Sequence, residues 1–414
     1  MTTEGGDPGA RLERLVEGYE REVKHRPPQG ADEDGVDEVD GMLAAAGGLE
    51  AAPGRGGNRL ARLDPTLAEI AVPAVAEAPA APVGRIALGA GAAPSEAPGS
   101  SADEAAASAA FEHDTSAAVA QPVEPEDLET WWSRGERIPL RGGGRTWQIF
   151  VRTLGEGPWL TAIHGFPTSS WDWEPVSRTL RASHRILAPD LLGFGDSDKP
   201  TGHDWSAFEQ ADLIESLWRR EGITETRILA HDVGLTVALE LLARQEEGGL
   251  ATRITDLTLL NGGVYSGFHR PRRIQVLLQK PIVGAIIARL LSEGRFAPAL
   301  SEIFAPEHRL TPLELHQHWL SVARRNGGRN YHRLIRYIPE RRAHAARWEA
   351  ALARTQTPIR FVWGMVDPVS GAHMAEAIRQ RRPGADIVAL DDVGHYPQLE
   401  APERVVDAVL RRRA

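Results

Sequence analysis

With 414 residues and no cysteine, the chain has no disulfide, thiol nucleophile or thiolate metal site open to it. Its net charge of −10 gathers in residues 1–130, where about 25 acids face 9 bases, so the remainder is near +6 and offers no basic face to nucleic acid. A soluble, cytoplasmic protein is expected: residues 1–9 lack a secretory signal's positive start and apolar run, and the most apolar stretch, Val276 to Leu291, is interrupted by Gln279, Lys280 and Pro281 and falls short of the ~20 residues of an integral membrane segment.

Residues 1–130 read as a low-complexity acidic leader, mostly disordered. Leu12, Leu15, Val16, Tyr19 and Val23 share one face of a short helix over Arg11 to Lys24, which His25-Arg26-Pro27-Pro28 stops. The acidic run Asp32 to Asp40 and the Ala/Pro-rich region Ala71 to Ala120 bury too little apolar area to offset chain entropy. Every tryptophan lies beyond residue 130, which places the packed domain at 131–414.

In that domain short apolar runs alternate with helical segments. Strands are expected at Thr146 to Thr153, Trp159 to Ile163, Arg185 to Ala188, Arg227 to Ala230 and Asp256 to Leu260. A helical, Arg- and Leu-rich insertion follows, a cap at about 265–353, before strands return at Ile359 to Trp363 and Ile387 to Leu390. The pattern is that of an α/β fold: a mostly parallel sheet with helices on both faces.

The chemistry centres on Ala230-His231-Asp232-Val233-Gly234, which follows an apolar strand and opens a helical run. Strand, tight turn and helix are what a nucleophile elbow needs, and Asp232 stands at its tip. A carboxylate attacking an acyl carbon gives a high-energy anhydride, whereas attack on an sp³ carbon with a leaving group gives an ester that water cleaves. The substrate is therefore expected to be small and apolar, with a strained or activated C–O or C–halogen bond. A base for the hydrolytic water is available in His395, after the last expected strand, and an acid to orient it in Asp367, after the strand before, with Asp391 and Asp392 as nearby acids that compete for that role. The loop His164-Gly165-Phe166-Pro167 offers an oxyanion site, with the backbone amides of Phe166 and Val233 as its donors.

The runs His164-Gly165-Phe166-Pro167-Thr168-Ser169-Ser170-Trp171, Asp190 to Pro200 and His231-Asp232 resemble the epoxide hydrolase and haloalkane dehalogenase branch of the α/β-hydrolases. Asn261-Gly262-Gly263-Val264-Tyr265, His269-Arg270-Pro271 and His395-Tyr396-Pro397-Gln398-Leu399-Glu400 are similar to the mesoderm-specific transcript family of such hydrolases. The resemblance covers roughly 146–410 and implies an α/β-hydrolase fold, a cap and no cofactor. Haloalkane dehalogenases typically carry a Trp after the nucleophile and often an Asn after the His-Gly pair. Val233 and Phe166 stand there instead, leaving a cap residue such as Trp319 as substitute. Epoxide opening needs a proton donor, the role of cap tyrosines in the resembling enzymes; Tyr337 sits where one of them is found, and Tyr331 is a second candidate.

Other polar residues read as structural: His164 beneath the oxyanion loop, and Asp190 tying down loop amides. His316 and His318 point to different faces of a helix and His332 has no marked partner, so no metal site is expected. An Asp-nucleophile epoxide hydrolase is the leading expectation. A haloalkane dehalogenase, a non-catalytic scaffold module and lipid-directed chemistry at a membrane surface are the alternatives.

Overall fold

The computed structural model describes residues 124–411. The helix expected at Arg11 to Lys24, the acidic run and the Ala/Pro-rich region lie outside the described residues. Eight strands form one sheet: β1 (Glu136–Gly142), β2 (Arg145–Leu154), β3 (Trp159–Ile163), β4 (Arg185–Pro189), β5 (Glu225–Ala230), β6 (Arg253–Leu260), β7 (Ile359–Gly364) and β8 (Asp386–Leu390). Their order is β1-β2-β4-β3-β5-β6-β7-β8, antiparallel at β1/β2 and β2/β4 and parallel elsewhere. The seven expected strands are all present, extended by zero to three residues at their ends.

β1 was not anticipated. Ile138, Leu140 and Gly142 are buried while Glu136, Pro139 and Arg141 are exposed, so its alternation is half polar, and Pro139 is tolerable because this strand forms the sheet's edge. The hairpin to β2 turns on Gly143 and Gly144, with φ of 56° and 77°, the positive values that a tight two-residue hairpin requires.

Successive strand residues feed two apolar layers, as the twofold period of a strand dictates. In β5, Ile228 and Ala230 join one cluster and Leu229 the other; in β7, Phe361 and Trp363 oppose Val362. The larger cluster packs under helices Ala207–Arg220, Val233–Glu246 and Ala372–Arg381, the smaller under Glu174–Leu180 and Pro402–Leu410.

Folded structure begins ahead of residue 131. Asp127 caps the helix Leu128–Ser133, which buries Leu128 and Trp131. Glu126 is itself buried, accepting from Arg134 at 2.7 Å and pairing with Arg152 at 3.2 Å, and its N–H donates to Glu174.

The stretch between β6 and β7 is helical. The apolar run near Val276 breaks at Lys280–Pro281 into helices Arg273–Gln279 and Pro281–Arg289, followed by Glu293–Ser301, Pro312–Ala323, Tyr331–Leu334 and Tyr337–Ala343. Its last helix, Ala345–Arg354, lies instead against Val233–Glu246, with Trp348 donating to Glu240 at 2.8 Å, and so belongs to the layer covering the sheet. Among the described residues no helix is long and apolar enough to cross a membrane.

Candidate active site

β5 ends at Ala230 and the next helix starts at Val233, leaving two residues for the reversal. Asp232 makes it with φ 46° and ψ −107°, a strained conformation for a residue with a Cβ. Its N–H donates to the Asn261 carbonyl at 3.0 Å, and Gly234 N–H to the His231 carbonyl at 2.8 Å. Gly234 is required by close approach: a Cβ there would stand 2.2 Å from the Ile163 carbonyl oxygen at the end of β3.

This turn holds the Asp232 carboxylate above the C-terminal edge of the sheet, 3 % exposed. Oδ2 accepts the Phe166 N–H at 3.1 Å, and Tyr337 Oη donates to Oδ1 across 3.5 Å. Burial raises the carboxyl's pKa above its ordinary value, opposed by nearby His395 and Arg341 and by the Phe166 amide. Val233 opens its helix, so its amide is among the first-turn donors without an intrahelical acceptor.

His395 Nδ1 donates to Asp367 Oδ2 at 2.7 Å. The same oxygen accepts from Asn261 Nδ2 at 2.9 Å and Ser370 Oγ at 2.7 Å, while Oδ1 takes the Val369 N–H at 2.7 Å. Four donors and the His395 charge outweigh burial, and Asp367 is held well below the usual carboxylate range. Burial lowers the pKa of His395, but Asp367, its hydrogen bond and Asp232 together raise it to about 9. His395 and Asp232 are thus near enough for each to act on the other's ionisation.

The remaining expected residues divide by geometry. His164 Nε2 accepts the Leu191 N–H at 2.9 Å, which leaves Nδ1–H to donate to the Gly165 carbonyl: a support for the loop. Asp190 likewise accepts from the amides of Ser170 and Asp196. Tyr331 donates to the Pro167 carbonyl at 2.7 Å, so its hydroxyl serves the loop that presents Phe166. Trp319 packs on Phe296, ring centroids 5.8 Å apart. His318 is buried 3.7 Å from Asp172, and His316 meets Glu293 at the surface. Asp392 is exposed and pairs with Arg404, which leaves Asp367 as the acid beside His395. Among the described residues no group of three or more His, Asp or Glu side chains is placed to hold a metal.

Several organising residues were visible only as motif letters. Asn261 receives the Asp232 amide on its backbone carbonyl, donates to Asp367 and the Gly364 carbonyl, and accepts the Gly364 N–H at 2.7 Å. His231 donates from Nε2 to the His395 carbonyl at 2.8 Å, and burial keeps its imidazole neutral. Glu400 Oε2 accepts the amides of Gly394 and Ala305, and the His395 N–H donates to the Ile303 carbonyl, tying the histidine loop to the insertion. Arg341, from the helix of Tyr337, is buried beside Thr236, and nothing in the sequence marked it.

This sheet, with an acidic elbow after β5, an Asp after β7 and a His after β8, is the architecture of an α/β hydrolase. Residues 162–408 match the alpha/beta hydrolase family, and the chain belongs to it. It is 38% identical over 284 residues to LipZ of Mycobacterium tuberculosis (strain ATCC 25618 / H37Rv), covering 68% of this chain and 96% of LipZ. It is also 38% identical over 292 residues to the mesoderm-specific transcript protein of Mus musculus, covering 68% of this chain and 87% of that protein. Among solved structures it resembles an alpha/beta hydrolase fold protein from Burkholderia ambifaria (27% identity, TM-score 0.55, 66% of this chain and 97% of the other). The haloalkane dehalogenase DatA from Agrobacterium tumefaciens C58 shares the fold at 21% identity and TM-score 0.56, over 66% of this chain and 94% of DatA.

Proposed function

We propose that this hydrolase opens an epoxide through a covalent ester on Asp232. The observation that carries the reading is the division of labour between the two Asp232 oxygens: Oδ2 rests on the Phe166 amide, while Oδ1 is left beside the Tyr337 hydroxyl. Oδ1 attacks the epoxide carbon, the C–O bond breaks, and Tyr337, supplied by the helical cap, gives its proton to the developing alkoxide. Hydrogen bonds of this kind are often long before substrate binds, as the 3.5 Å contact is.

Ester formation removes the Asp232 charge, one of the influences that raise the His395 pKa. The imidazole is thereby brought closer to giving up its proton and acting as base. His395 Nε2 then takes a proton from water as the water oxygen adds to the Asp232 carbonyl carbon. The negative charge falls on Oδ2, where the Phe166 amide and that of Val233 receive it. Collapse breaks the bond between the carbonyl carbon and the ester oxygen; the leaving diol oxygen takes the proton held on His395, and the new Asp232 carboxyl returns its proton to the Tyr337 phenolate, which restores carboxylate, imidazole and hydroxyl.

The test is to mix a His395→Gln variant with styrene oxide and weigh the protein: an adduct on the peptide carrying Asp232 is expected. Asp232→Asn should lower turnover on the order of 10⁴-fold; turnover that survives without an adduct overturns the mechanism. Dehalogenation is the second reading. It is disfavoured because Val233 and Phe166 offer no side-chain nitrogen to a halide and the Trp319 ring packs on Phe296. A protein that forms no adduct with epoxide or haloalkane would point to the scaffold reading.

A further inference from the structure

Arg341 lies one helical turn after Tyr337 and is 3 % exposed. Nε and Nη2 both donate to the Thr236 hydroxyl, at 3.0 and 2.7 Å, and the guanidinium stands 5.1 Å from the centre of the Tyr337 ring. Nη1 is buried with no hydrogen-bond partner, and Arg341 makes no ion pair among the described residues. The chain leaves room for it: a Cβ on Gly263 would lie 1.6 Å from Nη1. His269 is close by and 8 % exposed, with both ring nitrogens buried and unpartnered. Burial, then Arg341 and His395, pull its pKa down to about 3, so it is neutral and carries one N–H donor.

A buried charge with an open donor is costly, and proteins rarely keep one without a ligand or water to complete it. Serving only as counter-charge to Asp232 does not account for Nη1, which makes no hydrogen bond to that carboxylate. A carboxylate on the substrate would satisfy both the charge and the free donors, since a guanidinium fork matches its geometry. We propose that Arg341 Nη1, with the His269 N–H as second donor, docks a carboxylate on the substrate, so that the site prefers small epoxy acids to neutral epoxides, which it still opens. This deepens the Asp232 reading and rests on it for the reaction, but the binding step can be tested separately.

The full-length protein is titrated calorimetrically with phenylacetate and with phenylacetamide, its neutral counterpart of the same shape. Phenylacetate should bind at least about tenfold more tightly, the worth of one charge-assisted hydrogen bond. Arg341→Gln should abolish that preference and Arg341→Lys restore part of it. Equal affinity of the wild-type protein for the two compounds, or no phenylacetate binding at millimolar concentration, overturns the proposal, and neither result depends on any variant folding. Turnover of 3-phenylglycidate and 3-phenylglycidamide is then compared. Arg341→Gln should raise the ratio of the acid's KM to the amide's about tenfold. If it slows both equally, Arg341 is a counter-charge to Asp232 and the carboxylate site is wrong while the Asp232 chemistry stands. If phenylacetate is preferred but neither epoxide forms an adduct in the His395→Gln variant, the anion site stands and the Asp232 reading fails.

Discussion

Asn261 ties three loops together with a single side chain and carbonyl: the elbow through the Asp232 amide, the loop after β7 through Gly364, and the acid through Asp367 Oδ2. It touches no reacting atom in the proposed mechanism and acts by positioning. Asn261→Ala leaves buried groups without partners at roughly 1–3 kcal/mol each, so kcat should fall about 10- to 100-fold with KM nearly unchanged. The acid arm of the pH–rate profile, along which the base His395 loses its proton, should move toward lower pH, because a mispositioned Asp367 raises the His395 pKa less; an unmoved profile would reduce Asn261 to a packing role. Asp367→Asn is the harsher case. It removes the charge that orients and ionises His395, with an expected loss on the order of 10⁴-fold in kcat.

The elements show how much the sequence could reveal. β3 and β5 to β7 are central strands whose C-terminal halves are buried on both faces, so runs such as Ile228-Leu229-Ala230 and Phe361-Val362-Trp363 are apolar and plain to read. β1 escaped because an edge strand need bury only alternate residues and tolerates Pro139 and charge. The elbow was legible because strand, acid and Gly234 are contiguous, whereas Arg341 was not, since its meaning comes from Thr236 and Gly263, each tens of residues away in sequence. Helical periodicity could not tell the insertion from Ala345–Arg354 either, because both are amphipathic and only Trp348 reaching Glu240 assigns the latter to the sheet. Trp348→Ala should therefore lower global stability by about 3–5 kcal/mol in a denaturant titration, as removal of a fully buried indole does elsewhere. Gly234→Ala forces a Cβ against a backbone carbonyl and should distort the elbow, read as lost adduct formation alongside a lower melting temperature.

Across the whole molecule, stability should depend on pH from both sides. His231, His269 and His318 are buried and neutral, with pKa values below the usual 6.5, the latter two at about 3. The unfolded chain binds more protons than the native one beneath that value, so stability falls as the solution is acidified from about pH 6.5. His395 behaves oppositely: with its native pKa raised to about 9, its contribution is complete below about pH 6.5 and is lost as pH climbs through 9. Urea midpoints measured from pH 4 to 10 should trace a dome, with His318→Gln flattening the acid limb and His395→Gln the alkaline one; an unchanged alkaline limb in the latter would count against the raised imidazole. The bonds from His395 to Ile303 and from Glu400 to Ala305 and Gly394 limit how such a molecule can breathe. Were the whole roof to swing up, it would pull on the loop that carries the imidazole, so parting one flank while the far eave stays fastened would disturb the His395–Asp367 pair least.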